Sequence, residues 1–275
     1  MNPSVFNNKT IWITGASSGI GEALTTELAT TGARLVVSAR NAADLDNVAS
    51  RCRERNAKVT IFVEPFDVAE HHLFPAVVKR VLDRTGGIDI LISNAGVGQR
   101  GSALSSNPDV VRRIFDVNFF GAVFLTQGLL PSMLERKSGR IVVISSVLGK
   151  FHLPGRSAYA ASKHALQGYF DTLRAEIAGT GVEISIIRPG WIETPMSRNA
   201  LTADGVSYGK STKALSRKMS PEECARRILH VVAAGKNDAA IGGIEKWGGV
   251  LRILFPRAYD RIMGKKMSEF IYKIT

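Results

Sequence analysis

Tyr159 and Lys163 stand four residues apart in Tyr159-Ala160-Ala161-Ser162-Lys163. On a helix that spacing puts both on one face, one turn from each other. A free phenol, with a pKa of about 10, is a poor acid or base at neutral pH. A nearby ammonium favours the phenolate and pulls that pKa toward the working range. Such a pair could pass a proton to or from a substrate oxygen. By itself the spacing also fits an ordinary amphipathic helix with an exposed Lys. The chemistry therefore depends on what the rest of the chain brings to the pair.

A second group lies near the N-terminus. The apolar run Ile11-Trp12-Ile13 leads into Thr14-Gly15-Ala16-Ser17-Ser18-Gly19-Ile20-Gly21, followed by the helical pattern Ile20, Ala23, Leu24, Leu28. Strand, glycine-rich turn and helix in that order suit a nucleotide. Gly15 allows a tight turn, Gly19 close backbone approach and Gly21 close helix–strand packing. The free N–H groups at the helix start form an anion site for a pyrophosphate. The spacing is G-x-x-x-G-x-G rather than the commoner G-x-G-x-x-G. The next apolar strand, 33–39, ends at Ala39-Arg40, where an acid would hold the 2′-hydroxyl of NAD. A guanidinium there suits the 2′-phosphate of NADP instead, the other reading being a surface Arg at a strand end.

These residues need elements to hold them. The pattern predicts a polar helix over 42–55 and a strand over 58–63, followed by Asp67-Val68 at the carboxyl edge of the sheet. Asp67 could meet an adenine there or serve as a turn or N-cap residue. A helix over 70–84 and a strand over 88–93 follow, ending in Asn94-Ala95-Gly96, whose small residues let the backbone cross close to a ligand. A long helix over 107–135 carries Asn118 in its middle, where Asn competes for backbone hydrogen bonds. A helix opened at that point would indicate a polar network rather than packing. The strand over 140–145 ends in Ser145-Ser146, and ligands bind outside such carboxyl ends where strand order reverses. The helix over 158–178 carries Tyr159 in its first turn. A sixth strand, 182–188, runs into Pro189-Gly190-Trp191-Ile192-Glu193-Thr194-Pro195, and a polar stretch follows, so 192–217 is expected to be a substrate lid. Ser220-Pro221 opens a helix to about 233, and 238–241 is a last strand. The expectation is a single α/β domain over 1–244, a doubly wound parallel sheet of about seven strands.

Residues 245–275 differ in character. Seven Lys or Arg face three Asp or Glu, with Trp247, Leu251, Leu254, Phe255, Tyr259 and Ile262 interleaved. Two short amphipathic helices broken at Pro256 fit the pattern. They read either as a membrane-surface element drawn to anionic lipid, or as an extension packed on the domain or a neighbouring subunit.

The whole chain has 275 residues, 45% of them hydrophobic, and a formal charge of +12. A basic surface fits nucleic acid, anionic membrane or an anionic cofactor, but no nucleic-acid motif accompanies it. Cys52 and Cys224 have no partner at metal-ligand spacing and read as reduced thiols of a cytoplasmic protein, so no metal is expected. Residues 1–10 are polar and lack the apolar run of a signal peptide. No run of about 18 consecutive apolar residues points to a spanning helix.

From about Lys9 to Gly243 the chain resembles the short-chain dehydrogenase/reductase family. The resemblance rests on the order and spacing of the 14–21 turn, Asn94-Ala95-Gly96, Asn118, Ser146 thirteen residues before Tyr159, Tyr159 with Lys163, and Pro189-Gly190. Ser93 stands where the family usually has a further Asn. The resemblance implies a catalytic tetrad of Ser146, Tyr159, Lys163 and Asn118, with Lys163 lowering the Tyr159 pKa and binding the nicotinamide ribose. Asn118 would hold a water linking Lys163 to solvent, and Ile192 and Thr194 would contact the carboxamide. It implies an NADP(H)-dependent oxidoreductase that interconverts a carbonyl and an alcohol. Phe151, Leu153, Trp191 and the apolar tail suggest a hydrophobic or lipid-like substrate. The tail also looks like those of members that act at membranes. The family is usually dimeric or tetrameric through the helices carrying Asn118 and Tyr159, which implies a homodimer or homotetramer. The alternative is a catalytically idle NADP-binding regulator or membrane-surface scaffold of the same fold.

Overall fold

The computed structural model describes residues 3–210 and 218–271; residues 211–217 of the expected lid and 272–275 of the tail lie outside the described residues. Seven strands form one parallel sheet: β1 (Thr10–Thr14), β2 (Arg34–Ser38), β3 (Thr60–Val63), β4 (Ile90–Ser93), β6 (Gly139–Ile144), β7 (Val182–Pro189) and β9 (Asp238–Ile241). Their order is β3-β2-β1-β4-β6-β7-β9. The chain builds outward from β1 on one side and then returns to β4 on the other. The reversal therefore falls between β1 and β4, each of which pairs in parallel with its neighbours.

Helices cover both faces because the buried strands alternate. Ile11 and Ile13 pack with Leu24 and Leu28 of α1 (Gly19–Leu28), Leu45 and Val48 of α2 (Ala42–Arg55), and Ile228 and Leu229 of α7 (Pro221–Ala233). Trp12 points the other way, toward α3 (Phe74–Thr85), α5 (Gly121–Glu135) and α6 (Ser157–Glu176). Its indole N–H donates to the Ser38 hydroxyl at 2.9 Å, so the buried polar atom is satisfied. Cys52 and Cys224 are both buried and free.

The long helix expected over 107–135 is α4 (Pro108–Phe115), one π-helical turn (Asp116–Phe120) and α5. The opening falls at Asn118, where a polar network was anticipated. Together, Pro108–Glu135 is long enough to cross a membrane and holds an 18-residue window of mean hydropathy 1.4. In this fold Leu125, Leu129 and Met133 of that stretch lie in the core beneath the sheet.

A feature absent from the sequence reading is a second, two-stranded sheet, β5 (Gln99–Arg100) paired in parallel with β8 (Leu201–Thr202). It ties the loop after β4 to the expected lid, which as far as residue 210 is held by backbone bonds such as Leu201 N–H to Gly98 O at 3.0 Å. The tail forms α8 (Gly248–Leu254) and α9 (Pro256–Ile271), with the break at Pro256 as expected.

Candidate functional site

The carboxyl ends of β1, β4, β6 and β7 open into one cleft of about 1240 Å³. Gly15, Ser17, Ser18, Gly19 and Ile20 line it at the start of α1. Gly15 and Gly19 take φ of +65° and +58°, which side-chain-bearing residues rarely adopt. A Cβ on Gly21 would sit 2.1 Å from the Gly15 carbonyl oxygen, so the helix can start this close to the strand only with glycine. Ser18 occupies the N-cap of α1 but makes no side-chain cap bond, which leaves first-turn N–H groups facing the cleft. A cradle of this shape and polarity fits a pyrophosphate.

Arg40 lines the same cleft just beyond β2, exposed, beside Asn41, whose side chain caps α2 at Ala43 and Asp44. Asp67 and Val68 line it too. Asp67 is a turn residue: its carboxylate accepts from the Ala69 N–H at 3.0 Å and pairs with Arg113 at 2.6 Å. Partial burial works to raise its pKa, yet those bonds and the Arg113 and Arg40 charges outweigh it and hold the group below the usual carboxylate range.

Asn94 fastens β4 to the glycine turn. Its amide donates to the Thr14 and Gly15 carbonyls at 3.0 and 3.2 Å. Gly96 lies close under Asn118, whose Oδ1 would be 3.3 Å from a Cβ there. Asn118 is buried; its carbonyl accepts from the Val97 N–H at 2.7 Å, and its amide donates to the Val97 carbonyl and the Ser162 hydroxyl. Ser162 in turn donates to the Tyr159 carbonyl at 2.8 Å. The π turn thus joins the loop after β4 to the helix bearing Tyr159. Among the described residues, the buried Ser93 hydroxyl has no hydrogen-bond partner.

Ser146, Tyr159 and Lys163 line the cleft together, and the Ser146 hydroxyl lies close enough to the Tyr159 phenol to act on its pKa. Lys163 is 3% exposed, and its ammonium donates to the Ile144 carbonyl at 2.9 Å. Burial lowers its pKa from 10.5 to about 8. The ammonium stands 5.9 Å from the centre of the Tyr159 ring. The expectation that Lys163 depresses the Tyr159 pKa is not what this geometry gives. Burial raises it, and the opposing influences are the nearby Ser146 hydroxyl and the charge of Arg156. A phenol held protonated is a proton donor ready for use.

Sequence reasoning missed Gln99. Its side-chain oxygen accepts from the Ala158 and Tyr159 N–H groups at 2.8 and 3.2 Å, capping α6 from 60 residues away. It also missed Arg156, which precedes α6 and lines the cleft.

Pro189, Gly190, Ile192 and Thr194 border the cleft beyond β7. Thr194 packs on Gly19, its methyl 3.0 Å from where a Cβ would be. Glu245 reaches back into this loop: Oε1 accepts from the Trp191 and Gly243 N–H groups, both at 3.1 Å. Farther along the tail, Tyr259 is 2% exposed and donates to the His152 carbonyl at 2.6 Å. The tail therefore packs on the domain, and Met263 of α9 lines the cleft with Leu153 and Trp191. Phe151 does not line it; it packs behind, edge-on to Tyr259.

Residues 9–205 match the family model for short chain dehydrogenases. The chain belongs to that family. A dehydrogenase/reductase SDR family protein 7-like of Anopheles gambiae is 44% identical over 98% of this chain and 86% of the relative. A dehydrogenase/reductase SDR family member 7B of Danio rerio is 39% identical over 95% of this chain and 86% of the relative. Among solved structures, a short-chain dehydrogenase from Streptomyces avermitilis superposes with a TM-score of 0.76 at 27% identity, covering 96% of this chain and 98% of that one. An alcohol dehydrogenase from Thermococcus sibiricus complexed with 5-hydroxy-NADP shares the fold, with a TM-score of 0.75 at 23% identity over 87% and 98%. The chain is thus a short chain dehydrogenase in sequence and fold, a member of a family of oxidoreductases.

Proposed function

We propose that this chain is an NADP(H)-dependent oxidoreductase that interconverts a ketone or aldehyde and an alcohol, on a hydrophobic substrate. The observation that carries the reading is the Ser146–Tyr159 hydroxyl pair set beside buried Lys163, in the same cleft as the uncapped start of α1. Tyr159 donates its proton to the substrate oxygen, and Ser146 hydrogen-bonds that oxygen and orients it. When bound, the nicotinamide supplies or accepts the hydride. Lys163 holds the ribose hydroxyls and a positive charge beneath the phenol. Asn118 holds a water that links Lys163 to solvent. The α1 N-terminus receives the pyrophosphate, Arg40 the 2′-phosphate, and Ile192 and Thr194 the carboxamide. Burial favours the protonated form of Tyr159, the form that donates to a carbonyl oxygen.

The half-exposed aromatic residues Phe115, Phe119, Phe120 and Tyr169 stack edge to face across the π turn and α6. They support a homodimer or homotetramer through these helices. Exposed Trp247, Ile253, Leu254 and Phe255, interleaved with Lys246, Arg252 and Arg257, support peripheral contact of a cytoplasmic protein with an anionic membrane.

The test is Tyr159→Phe assayed for NADPH oxidation with a panel of hydrophobic ketones and aldehydes. Loss of about 100-fold or more in kcat with NADPH binding retained supports the reading. Full turnover by the variant excludes Tyr159 as the acid.

A further inference from the structure

Arg156 stands three residues before Tyr159 and lines the cleft together with Arg100. The two guanidinium groups are near enough to oppose one another. Arg100 lies over the Tyr208 ring at 5.6 Å, which places it on the lid side of the cleft. No Asp or Glu among the described residues forms an ion pair with Arg156; the acids nearby are engaged elsewhere, Asp67 with Arg113 and Asp109 with Arg112. Asp204 also lines the cleft but is exposed and makes no ion pair with it. Burial, then the charge of Arg100, pull the Arg156 pKa down to about 10. Arg156 is partly buried with its guanidinium on the cleft, and a partly desolvated cation without a carboxylate draws an anion to itself. Its planar fork matches a carboxylate or a phosphate with two parallel hydrogen bonds.

We propose that Arg156, flanked by Arg100, forms an anion subsite that receives a carboxylate or phosphate carried by the substrate, a short spacer from the oxygen held by Ser146 and Tyr159. The inference rests on the carbonyl–alcohol reading above and narrows its substrate class. Apolar Leu148, Leu153, Trp191 and Met263 line the same cleft, so the remainder of such a substrate is hydrocarbon. Arg156 and Tyr159 are near enough for their charges to interact, so a charged end and a reactive carbonyl share this part of the cleft with the apolar lining.

Two measurements on the full-length protein test this. The first compares kcat/KM, with NADPH, for three ketones of equal chain length whose polar ends are a carboxylate, a phosphate monoester and a methyl ester. The wild type is expected to favour one of the anionic ketones over the ester by about tenfold or more, and which one tells carboxylate from phosphate. Arg156→Gln should collapse that ratio to within about threefold, and Arg156→Lys should restore part of it, since a point charge replaces the fork. A mere effect of the Arg156 charge on Tyr159 would slow all three ketones equally and leave the ratio intact, which overturns the proposal.

The second needs no turnover. Calorimetric titration with an alkyl phosphate, an alkyl carboxylate and the alcohol of the same length gives the affinity ratio directly. A preference for an anion that Arg156→Gln abolishes supports the subsite even if no ketone is reduced, in which case the catalytic reading alone fails. Anions bound no more tightly than the alcohol refute the subsite even if ketones are reduced. Should Arg156→Gln melt early, Arg100→Gln supplies the second variant; an unchanged ratio there and in Arg156→Lys refutes the pairing of the two arginines.

Discussion

Lys163→Met is the sharpest probe of the electrostatics of this site. The folded protein holds Lys163 at a pKa of about 8, against 10.5 for the free side chain. A shift of this size corresponds to about 3 kcal/mol of destabilisation at pH 7, at roughly 1.4 kcal/mol per unit. The sign follows from proton uptake. Above 10.5 neither state is charged, and the folded state bears no penalty from this group. As the pH falls from 10.5 toward 8, the unfolded lysine takes up a proton that the folded one refuses, so stability drops across that window. Below 8 the penalty is constant. Met has a similar unbranched stem and no charge, so it removes the penalty but leaves the Ile144 carbonyl without its donor, at a cost of about 1–3 kcal/mol. At pH 7 the variant should therefore be equal to or more stable than the wild type by up to about 2 kcal/mol, while its turnover is lost. Urea unfolding of both proteins without cofactor, at intervals from pH 7 to 10, gives the decisive quantity. The difference between them should shift by about 2–3 kcal/mol in favour of the wild type over that range, whatever the carbonyl costs. Parallel curves for the two proteins would show that Lys163 is not destabilised by its burial and would refute the reasoning.

Other outcomes follow from the same geometry. Arg40→Ala should weaken NADPH binding by about tenfold or more and leave NADH binding nearly unchanged, measured by fluorescence titration; equal losses for both cofactors would remove the 2′-phosphate role. Gln99→Leu keeps the shape but strips the acceptor from two buried N–H groups at the start of α6, so it should cost about 2–5 kcal/mol by urea unfolding and lower kcat. Liposomes containing phosphatidylserine should sediment with the full chain and release it at high salt, whereas a protein lacking residues 245–275 should partition less; equal partition of both would end the membrane reading.

The parts of the molecule legible in the sequence are those specified by neighbours along the chain. The helix over 42–55 appears with its expected bounds because Asn41 supplies a local cap and Leu45, Val48 and Cys52 a local stripe. Asn118 was readable as a break because an Asn in an apolar helix has a local cost, and the π turn sits there. The order and spacing of Asn118, Ser146, Tyr159 and Lys163 carried the family resemblance, and the structure lines one cleft with the last three. What was not legible depends on partners far away in sequence. β5 and β8 are two residues each and carry no periodicity, yet each is completed by a strand about a hundred residues distant. Gln99 has its role only because α6 begins above it, and Glu245 only because the loop after β7 presents two N–H groups to it. The direction of the Tyr159 shift is of the same kind. Spacing reports that Lys163 is near, but only the packed structure reports how much water the phenol has lost.

The docking of the tail bears on how the site comes into being during synthesis. Tyr259 closes over the segment containing His152, 107 residues earlier in the chain. At roughly 5–20 residues per second, a ribosome needs about 5–20 s to travel that distance. By then all seven strands of the large sheet have been made, with the glycine turn, Ser146, Tyr159 and Lys163. Until Tyr259 arrives, the face bearing Phe151 and Leu148 still waits for its cover. The nascent protein thus passes through a stage in which the seven strands exist but the apolar part of the cleft lined by Leu148, Leu153 and Trp191 still lacks Met263.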